Sequence, residues 1–336
     1  MDWVQLREEF DKGNVLEWLR HLPDQCIEAV YYAKKFKPRK RQIENIVACG
    51  MGGSGVGAAI LRNLLKKELK VPFEVFNSYE LPAYVGKKTL LLCVSFSGDT
   101  EEALACFSEA KKKGAYIVSI TTGGKLSKIA KQSLVAMPKG SPCPRMGIAY
   151  VCLPLLIVLE KLGMVEKKNS ELGEAVFLLK KEQLHLEEKA KELAMKMKNR
   201  LPIIYAPEEL QAIAYRFRTE INENAKQLAL SHFLPEQNHN EISVAFGTTR
   251  KKSEIFLLRW QGEHKRVAKR IGILKKIMGK HFDITEVNLK GKSLMATTFY
   301  AIYLAALTSY YLALLNKVAP KEIPEIGRLK KELKKK

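Results

Sequence analysis

Three hydroxyl side chains and a glycine stand together where an apolar run gives way to a helical pattern. The turn follows the apolar run Leu90–Val94 and contains Ser95, Ser97, Gly98 and Thr100. The first N–H groups of a helix lack intrahelical partners, and the helix dipole places partial positive charge there. The turn therefore has the chemistry of an anion site, and phosphate is the anion most often held in this way.

A helix cap accounts for the same residues without any ligand. Asp99 or Thr100 could accept hydrogen bonds from the first N–H groups of the following helix. Glu101 and Glu102 also suit the positive end of the helix dipole. A single turn of this kind does not distinguish a cap from a binding site, so both interpretations stay open at this point.

A second candidate is the glycine-rich stretch Gly50–Gly55, which matches the dinucleotide fingerprint G-x-G-x-x-G. It follows a predicted strand, Ile46–Cys49, and precedes a predicted helix, Ala58–Leu69. The acid that would bind a ribose is less convincing, because Glu74 lies inside the next predicted strand and not at its carboxyl end. Ser54 adds a hydroxyl for phosphate. Dinucleotide binding and sugar-phosphate binding are therefore both compatible with this stretch.

Strands alternate with helices along the whole chain, which predicts an α/β fold. The fold class we predict has two subdomains, each a mainly parallel sheet flanked by helices on both faces, with domains at residues 1–165 and 166–336. In a parallel sheet the two candidate loops would lie at the same edge and converge on one crevice. The strands predicted in the second half are Pro202–Tyr205, Ile242–Phe246, Glu254–Trp260 and Phe282–Val287.

Composition indicates a globular protein that works in a reducing compartment. The 336 residues carry a net charge of +21, but the lysines are dispersed over predicted helix faces and the tail, so we predict no nucleic-acid partner. Six cysteines lack CxxC spacing, which predicts neither a metal site nor a disulfide framework. We expect no signal peptide from the acidic start of the chain, and the apolar run Met146–Leu159 is too short to span a bilayer. We therefore expect a cytoplasmic protein without a membrane anchor.

Five motifs together resemble the bifunctional phosphoglucose/phosphomannose isomerases of the sugar isomerase (SIS) superfamily. They are GMGGSG, SFSGDTEEAL, PxPR, INENAK and PEQNHNE, and the resemblance extends from about residue 45 to residue 333. It implies an aldose–ketose isomerase that interconverts glucose 6-phosphate, and also mannose 6-phosphate, with fructose 6-phosphate through a cis-enediolate. It implies no metal and no cofactor. The residues that it implies for the substrate phosphate are Gly53, Ser54, Ser95, Ser97 and Thr100.

The same resemblance implies four catalytic residues. Glu223 would be the base that moves a proton between adjacent carbons, and Arg145 would stabilise the enediolate. Lys330 would assist ring opening together with His239, which in similar enzymes reaches the active site of the partner subunit. A homodimer is therefore expected, with a hexose 6-phosphate as the substrate.

Other interpretations remain open from the sequence. Glu220 is a rival for the base, although Arg216 and Arg218 before it suggest an ion-paired residue on the surface. The SIS module also occurs in regulators, so a non-catalytic phosphosugar-binding protein is the main alternative function. A dinucleotide-dependent enzyme built on Gly50–Gly55 is the second alternative.

Overall fold

The computed structural model describes residues 1–138, 143–246, 252–333 and 335, and the chain divides into two compact units. One unit combines Met1–Arg20 with Leu178–Lys336, and the other is His21–Phe177. The domain boundary predicted at residues 165 and 166 stays a prediction. Part of the predicted loop Pro138–Arg145, residues 139–142, lies outside the described residues, as do residues 334 and 336 of the basic tail.

The unit His21–Phe177, which we call the loop unit, contains a parallel five-stranded sheet in the order β2-β1-β3-β4-β5. The chain first forms α1 (Trp3–Phe10) and α2 (Val15–Arg20), which belong to the other unit. The strands of the loop unit are β1 (Asn45–Cys49), β2 (Phe73–Phe76), β3 (Thr89–Val94), β4 (Tyr116–Thr121) and β5 (Leu134–Ala136). Its helices are α3 (Leu22–Lys34), α4 (Gly53–Leu65), α5 (Glu101–Lys112), α6 (Gly124–Ala130) and α7 (Ala149–Lys161).

Helix α4 begins earlier than the sequence predicted. The prediction was Ala58–Leu69, whereas the helix starts at Gly53 and ends at Leu65. Gly52 occupies the cap position with a φ of +52°, a conformation that L side chains rarely adopt. The prediction began too late because glycine has a low helix propensity and was not expected inside the helix. The observed start places the N–H groups of the first turn directly after β1.

The core of the loop unit explains its strand pattern. All six residues of β3 are buried, as expected for a central strand with helices on both faces. On one face, α5 contributes Ala103, Cys106 and Phe107 to an apolar cluster that also contains Cys49 and Cys93. Cysteine acts here as a small hydrophobic residue. Cys26, on α3, is buried as well, and burial raises the pKa of its thiol. We therefore interpret the buried cysteines as packing residues.

The second unit, which we call the helix-end unit, contains a parallel four-stranded sheet in the order β7-β6-β8-β9. Its strands are β6 (Leu201–Pro207), β7 (Leu230–Leu234), β8 (Ser253–Arg259) and β9 (Asp283–Asn288). The helices of this half are α8 (Asn169–Met197), α9 (Gln211–Ala225), α10 (Lys265–Met278), α11 (Leu294–Leu315) and α12 (Pro324–Glu332). The predicted fold class, two parallel sheets each flanked by helices, is confirmed.

One predicted strand is wrong. Residues 242–246 were expected to be a strand, but they belong to a 3₁₀ helix, Glu241–Phe246. The strand at this edge of the sheet is β7, which pairs with β6 from Ile203 opposite Leu230 to Pro207 opposite Leu234. The β-branched residues of 242–246 favour a strand, but β7 already occupies the neighbouring position, and pairing partners decide strand formation more than propensity does.

Helix α11 is the centre of the helix-end unit. It is long and apolar enough to cross a membrane, but its most apolar stretch is wholly buried inside the structure, as in a core helix of a globular protein. Two of its buried tyrosine hydroxyls hold neighbouring segments. Tyr310 donates to Asp11 at 3.0 Å and Tyr311 donates to Glu187 at 3.0 Å, so α11 ties α8 to the segment between α1 and α2.

Candidate functional site

The two candidate loops lie at the topological switch point of the loop unit. Helix α4 connects β1 to β2 towards one edge of the sheet, and α5 connects β3 to β4 towards the other edge. Strands β1 and β3 are neighbours, with Ile46 opposite Leu90 and Cys49 opposite Cys93. In open α/β sheets, ligands bind in the crevice outside the carboxyl ends of two such strands.

A hydrogen bond joins the two loops. The backbone N–H of Phe96 donates to the hydroxyl of Ser54 at 3.2 Å. Ser54 stands in the first turn of α4, and Phe96 lies in the turn between β3 and α5. The predicted convergence of the two loops on one crevice is therefore present.

The hydroxyl side chains of the turn from Ser95 to Thr100 differ in burial and in their hydrogen bonds. Ser95 is fully buried, accepts from the N–H of Gly98 at 3.0 Å and donates to the Thr100 hydroxyl at 2.9 Å. Ser97 is exposed and accepts from the N–H of Asp99 at 3.3 Å. Ser95 therefore shapes the turn from inside, whereas Ser97 is exposed and Thr100 is half-exposed.

The capping interpretation of this turn is wrong. Thr100 is the N-cap residue of α5, but its side chain makes no capping hydrogen bond. Asp99 accepts instead from the N–H of Lys125 at 2.9 Å, at the start of α6. The start of α5 therefore lacks the side-chain oxygen that would compete with an anion for its N–H groups.

A third loop supports the turn, and the sequence analysis missed its role. The hydroxyls of Thr121 and Thr122 both donate to the carbonyl of Phe96, at 3.3 and 2.8 Å. Gly98 has a φ of +76°, and a Cβ on it would lie 1.8 Å from the carbonyl oxygen of Gly123. Only glycine fits there. The segment TTGG after β4 was the available signal, because it follows the third neighbouring strand at the same sheet edge.

Arg145 lies beside the first turn of α4. It is 5% exposed, and a Cβ added to Gly53 would lie 3.4 Å from its backbone nitrogen. The segment 144–145 therefore lies in van der Waals reach of the helix start. The loop unit thus brings Arg145 to the same crevice as the predicted phosphate residues, which are Gly53, Ser54, Ser95, Ser97 and Thr100.

Glu223 lies in the last turn of α9, in the helix-end unit, and is half-buried. Its two neighbours are held in place. Asn222 accepts from the N–H of Ala229 at 3.1 Å, and Asn224 donates to the Ser309 hydroxyl at 2.8 Å. The backbone then leaves the helix through Lys226, which has a φ of +52°. The carboxylate of Glu223 is therefore carried by a fixed helix end.

Glu220 is not on the surface, contrary to the sequence-based expectation. Its side chain pairs with Arg216 one turn earlier, and both side chains are almost completely buried. The helical spacing of four residues predicted the pair but not its burial, which depends on what packs over α9. A carboxylate neutralised in this way is a structural group, so Glu223 is the better candidate for a base.

His239 and Glu223 lie on opposite faces of the four-stranded sheet. His239 is exposed on the 3₁₀ helix Glu236–His239, and Gln237 in that helix contacts the sulfur of Met278 at the end of α10. Helix α9 lies on the other face, because the crossover from β6 to β7 runs opposite to that from β8 to β9. Lys330 is exposed on α12.

Comparisons with known proteins agree with this architecture. Residues 41–162 match the model of the SIS domain, and residues 186–333 match that of the bacterial phospho-glucose isomerase C-terminal SIS domain. The chain is 36% identical to a bifunctional phosphoglucose/phosphomannose isomerase of Caldicellulosiruptor bescii, over 95% of this chain and 98% of that protein. The identity is 35% with the enzyme of that name from Thermoplasma volcanium, over 91% and 96% of the two chains.

A solved structure shows the same fold at low sequence identity. A hypothetical protein from Thermus thermophilus superposes with a TM-score of 0.73 at 18% identity, covering 98% of this chain and 93% of that one. The match of both halves to SIS-type models and the identity over nearly the whole length lead to one assignment. The chain belongs to the family of bifunctional phosphoglucose/phosphomannose isomerases.

Proposed function

We propose that this chain is a sugar-phosphate isomerase that interconverts glucose 6-phosphate and mannose 6-phosphate with fructose 6-phosphate. The observation that carries the proposal is the pair of joined loops at the switch point of the loop unit. These loops offer hydroxyls and the starts of α4 and α5 to one crevice. Neutral donors of this kind are sufficient to bind a phosphate dianion.

The reaction that we propose moves one proton between adjacent carbons of the open-chain sugar. His239 and Lys330 assist ring opening, in which the ring oxygen gains a proton as its bond to C1 breaks and the C1 hydroxyl loses its proton to become the carbonyl. Glu223 then removes the proton from C2 of the aldose and returns it to C1, through a cis-enediolate. The guanidinium of Arg145 balances the negative charge that develops on the enediolate oxygens. Because a fixed cation supplies this charge, the proposed mechanism needs no metal.

We further propose that the active enzyme is a homodimer. Glu223 and His239 lie on opposite faces of one sheet, which does not favour their acting in the same site of one chain. A second copy can supply the histidine. In that arrangement each site would combine Glu223 of one subunit with His239 of the other.

The first test is turnover of both hexose 6-phosphates in a coupled assay, with and without a chelator. The variant Glu223→Gln keeps the shape of the side chain and removes the base, so kcat should fall about a thousandfold with little change in substrate binding. Glu208→Gln, before the other end of the same helix, is the matched control and should keep wild-type kcat. A Glu223→Gln enzyme with near wild-type turnover would show that another group is the base.

The alternatives give different outcomes in the same samples. A non-catalytic regulator would bind fructose 6-phosphate without turning it over. A dinucleotide enzyme would bind NAD tightly and ignore the sugar phosphate. Calorimetric titration of the wild-type protein with each compound separates these cases from an isomerase.

The second test mixes inactive subunits. If each site uses Glu223 and His239 from different chains, a heterodimer of Glu223→Gln and His239→Asn subunits contains one intact site and regains activity. If both residues act within one chain, every site of that heterodimer carries one defect and activity stays low. Unmixed homodimers of each variant are the controls.

A further inference from the structure

The turn that carries His239 is anchored to the sheet by a buried tyrosine. Tyr205 lies on β6, is 1% exposed, and its hydroxyl donates to the carboxylate of Glu241 at 2.7 Å. The side chain of Gln237, which is fully buried, lies near the same hydroxyl. One tyrosine therefore neighbours residues on both sides of His239. Burial and the hydrogen bond to Glu241 raise the pKa of Tyr205, whereas the nearby amide of Gln237 lowers it.

A second group on the neighbouring strand lies close to the same carboxylate. His232 pairs with Tyr205 in the register of β7 and β6, and its Nδ1 lies 2.9 Å from the second carboxylate oxygen of Glu241. The two oxygens of Glu241 thus have different partners on adjacent strands. The flanking amides complete the turn, because Asn238 donates to Gln237 at 2.9 Å and the N–H of Glu241 donates to Asn240 at 2.5 Å.

These contacts contrast with the exposure of the histidine itself. His239 stands in a short 3₁₀ segment, and an exposed side chain in such a segment has no packing of its own to fix its direction. Catalysis by proton transfer requires the donor to be held within hydrogen-bonding reach of the reacting oxygen. The direction of His239 must therefore come from the backbone of its turn, which Glu241 and Gln237 attach to the sheet.

We propose that Glu241 is a positioning residue for His239, with Tyr205 as the anchor of its carboxylate. Glu241 does not touch the substrate in this role. It fixes the turn so that the exposed imidazole is presented in one direction, towards the site to which it contributes. This inference rests on the proposed function of His239.

The test compares two carboxylates of the same turn. Glu241→Gln keeps the size of the side chain but weakens its bond to Tyr205, and hydrogen bonds to charged groups are strong enough that kcat should fall roughly ten- to a hundredfold. The matched control is Glu236→Gln. The Glu236 carboxylate is exposed, and its hydrogen bond from the amide of Asn240 is long, at 3.5 Å. This variant should therefore keep wild-type kcat. Tyr205→Phe should act in the same direction as Glu241→Gln. Equal kcat values for Glu241→Gln and Glu236→Gln would overturn the proposal.

Subunit mixing separates a positioning role from a general loss of structure. A residue that acts through His239 behaves as His239 does in the mixture. Glu241→Gln subunits should therefore regain activity when paired with Glu223→Gln subunits but not when paired with His239→Asn subunits. Recovery with His239→Asn would contradict the proposal.

A measurement without activity keeps the inference independent of the proposed reaction. Hydrogen–deuterium exchange of the peptide that spans residues 236–241 should become faster in Glu241→Gln and Tyr205→Phe and stay unchanged in Glu236→Gln. Unchanged exchange in all three variants would show that the carboxylate does not hold the turn. Failure of the proposed function would appear separately, as a wild-type protein that does not isomerise hexose 6-phosphates.

Discussion

The two sheets have the same kind of switch point but opposite chemistry at it. In the loop unit the crevice between β1 and β3 is bordered by glycines and hydroxyls, with Ser54 and Phe96 joined across it. In the helix-end unit the corresponding strands are β6 and β8, because α9 and α10 leave them in opposite directions. There Glu208 and Glu209 follow β6, and Glu263, paired with Arg259, follows β8.

The difference shows that topology supplies a crevice and that the local residues decide what it can bind. The second switch point presents acceptor carboxylates, one of them already paired with an arginine, whereas the first presents hydroxyls and N–H groups that can donate to a phosphate dianion. The candidate catalytic residues of the helix-end unit lie elsewhere, at the end of α9 and in the turn after β7. The candidate phosphate residues thus follow strand ends in the loop unit, whereas the candidate base in the other unit lies at a helix end.

The largest effect on KM is expected when the phosphate turn is given a carboxylate like those at the second switch point. Ser97→Glu places a carboxylate on an exposed position of the phosphate turn, so the fold is not strained. Like charges a few ångströms apart repel by several kcal/mol at an intermediate dielectric, so KM should rise by roughly a hundredfold or more. Steady-state kinetics at low and high salt would measure this rise in KM. Ser97→Ala is the neutral control, and an equal KM for both variants would show that the phosphate binds elsewhere.

An effect on stability separates the two carboxylates of α9. Arg216→Met removes the guanidinium that pairs with the buried Glu220 carboxylate and should destabilise the protein by about 3–5 kcal/mol. Thermal unfolding would measure the loss, and the double variant Arg216→Met/Glu220→Leu should recover much of it. Below its unfolding temperature the double variant should keep its kcat. A loss of kcat in a double variant that stays folded would indicate that Glu220 takes part in proton transfer.

The smallest effect concerns the third loop. Thr122→Val removes the hydroxyl that donates to Phe96 at 2.8 Å and loosens the phosphate turn. A neutral hydrogen bond contributes about 0.5–1.5 kcal/mol, so KM should rise a few-fold while kcat changes little. Thr219→Val, which loses a comparable bond to the Arg216 carbonyl at 2.9 Å in the other unit, should leave KM unchanged. A fall in kcat with constant KM in Thr122→Val would contradict a role in phosphate binding.

Lysines that are scattered along the sequence lie together in the structure. Lys198, Lys226 and Lys317 are far apart along the chain, yet they line one cleft of about 680 Å³ in the helix-end unit. They follow the ends of α8, α9 and α11, which all terminate at this place. Cations at helix C-termini offset the negative end of the dipole. Part of the +21 charge therefore has a structural explanation that depends on where the helices end.

Hydrophobic periodicity and turn residues were sufficient to predict the α/β class, most of the strands and the two loops that meet at the crevice. These features are local, because a strand, a glycine turn and a helix start are each encoded within about ten residues. The motifs likewise identified the family, since they consist of short runs of specific residues.

Other features depend on contacts between segments that are distant in sequence. The burial of the Arg216–Glu220 pair, the pairing of β7 in place of 242–246, and the bond of Asp99 to the start of α6 were not readable from local pattern. Each depends on which element packs against which. The sequence by itself therefore determined the chemistry available at each loop. Only the tertiary structure decided which of those groups shape the turns and which face the crevice, because burial and hydrogen-bond partners are set by packing.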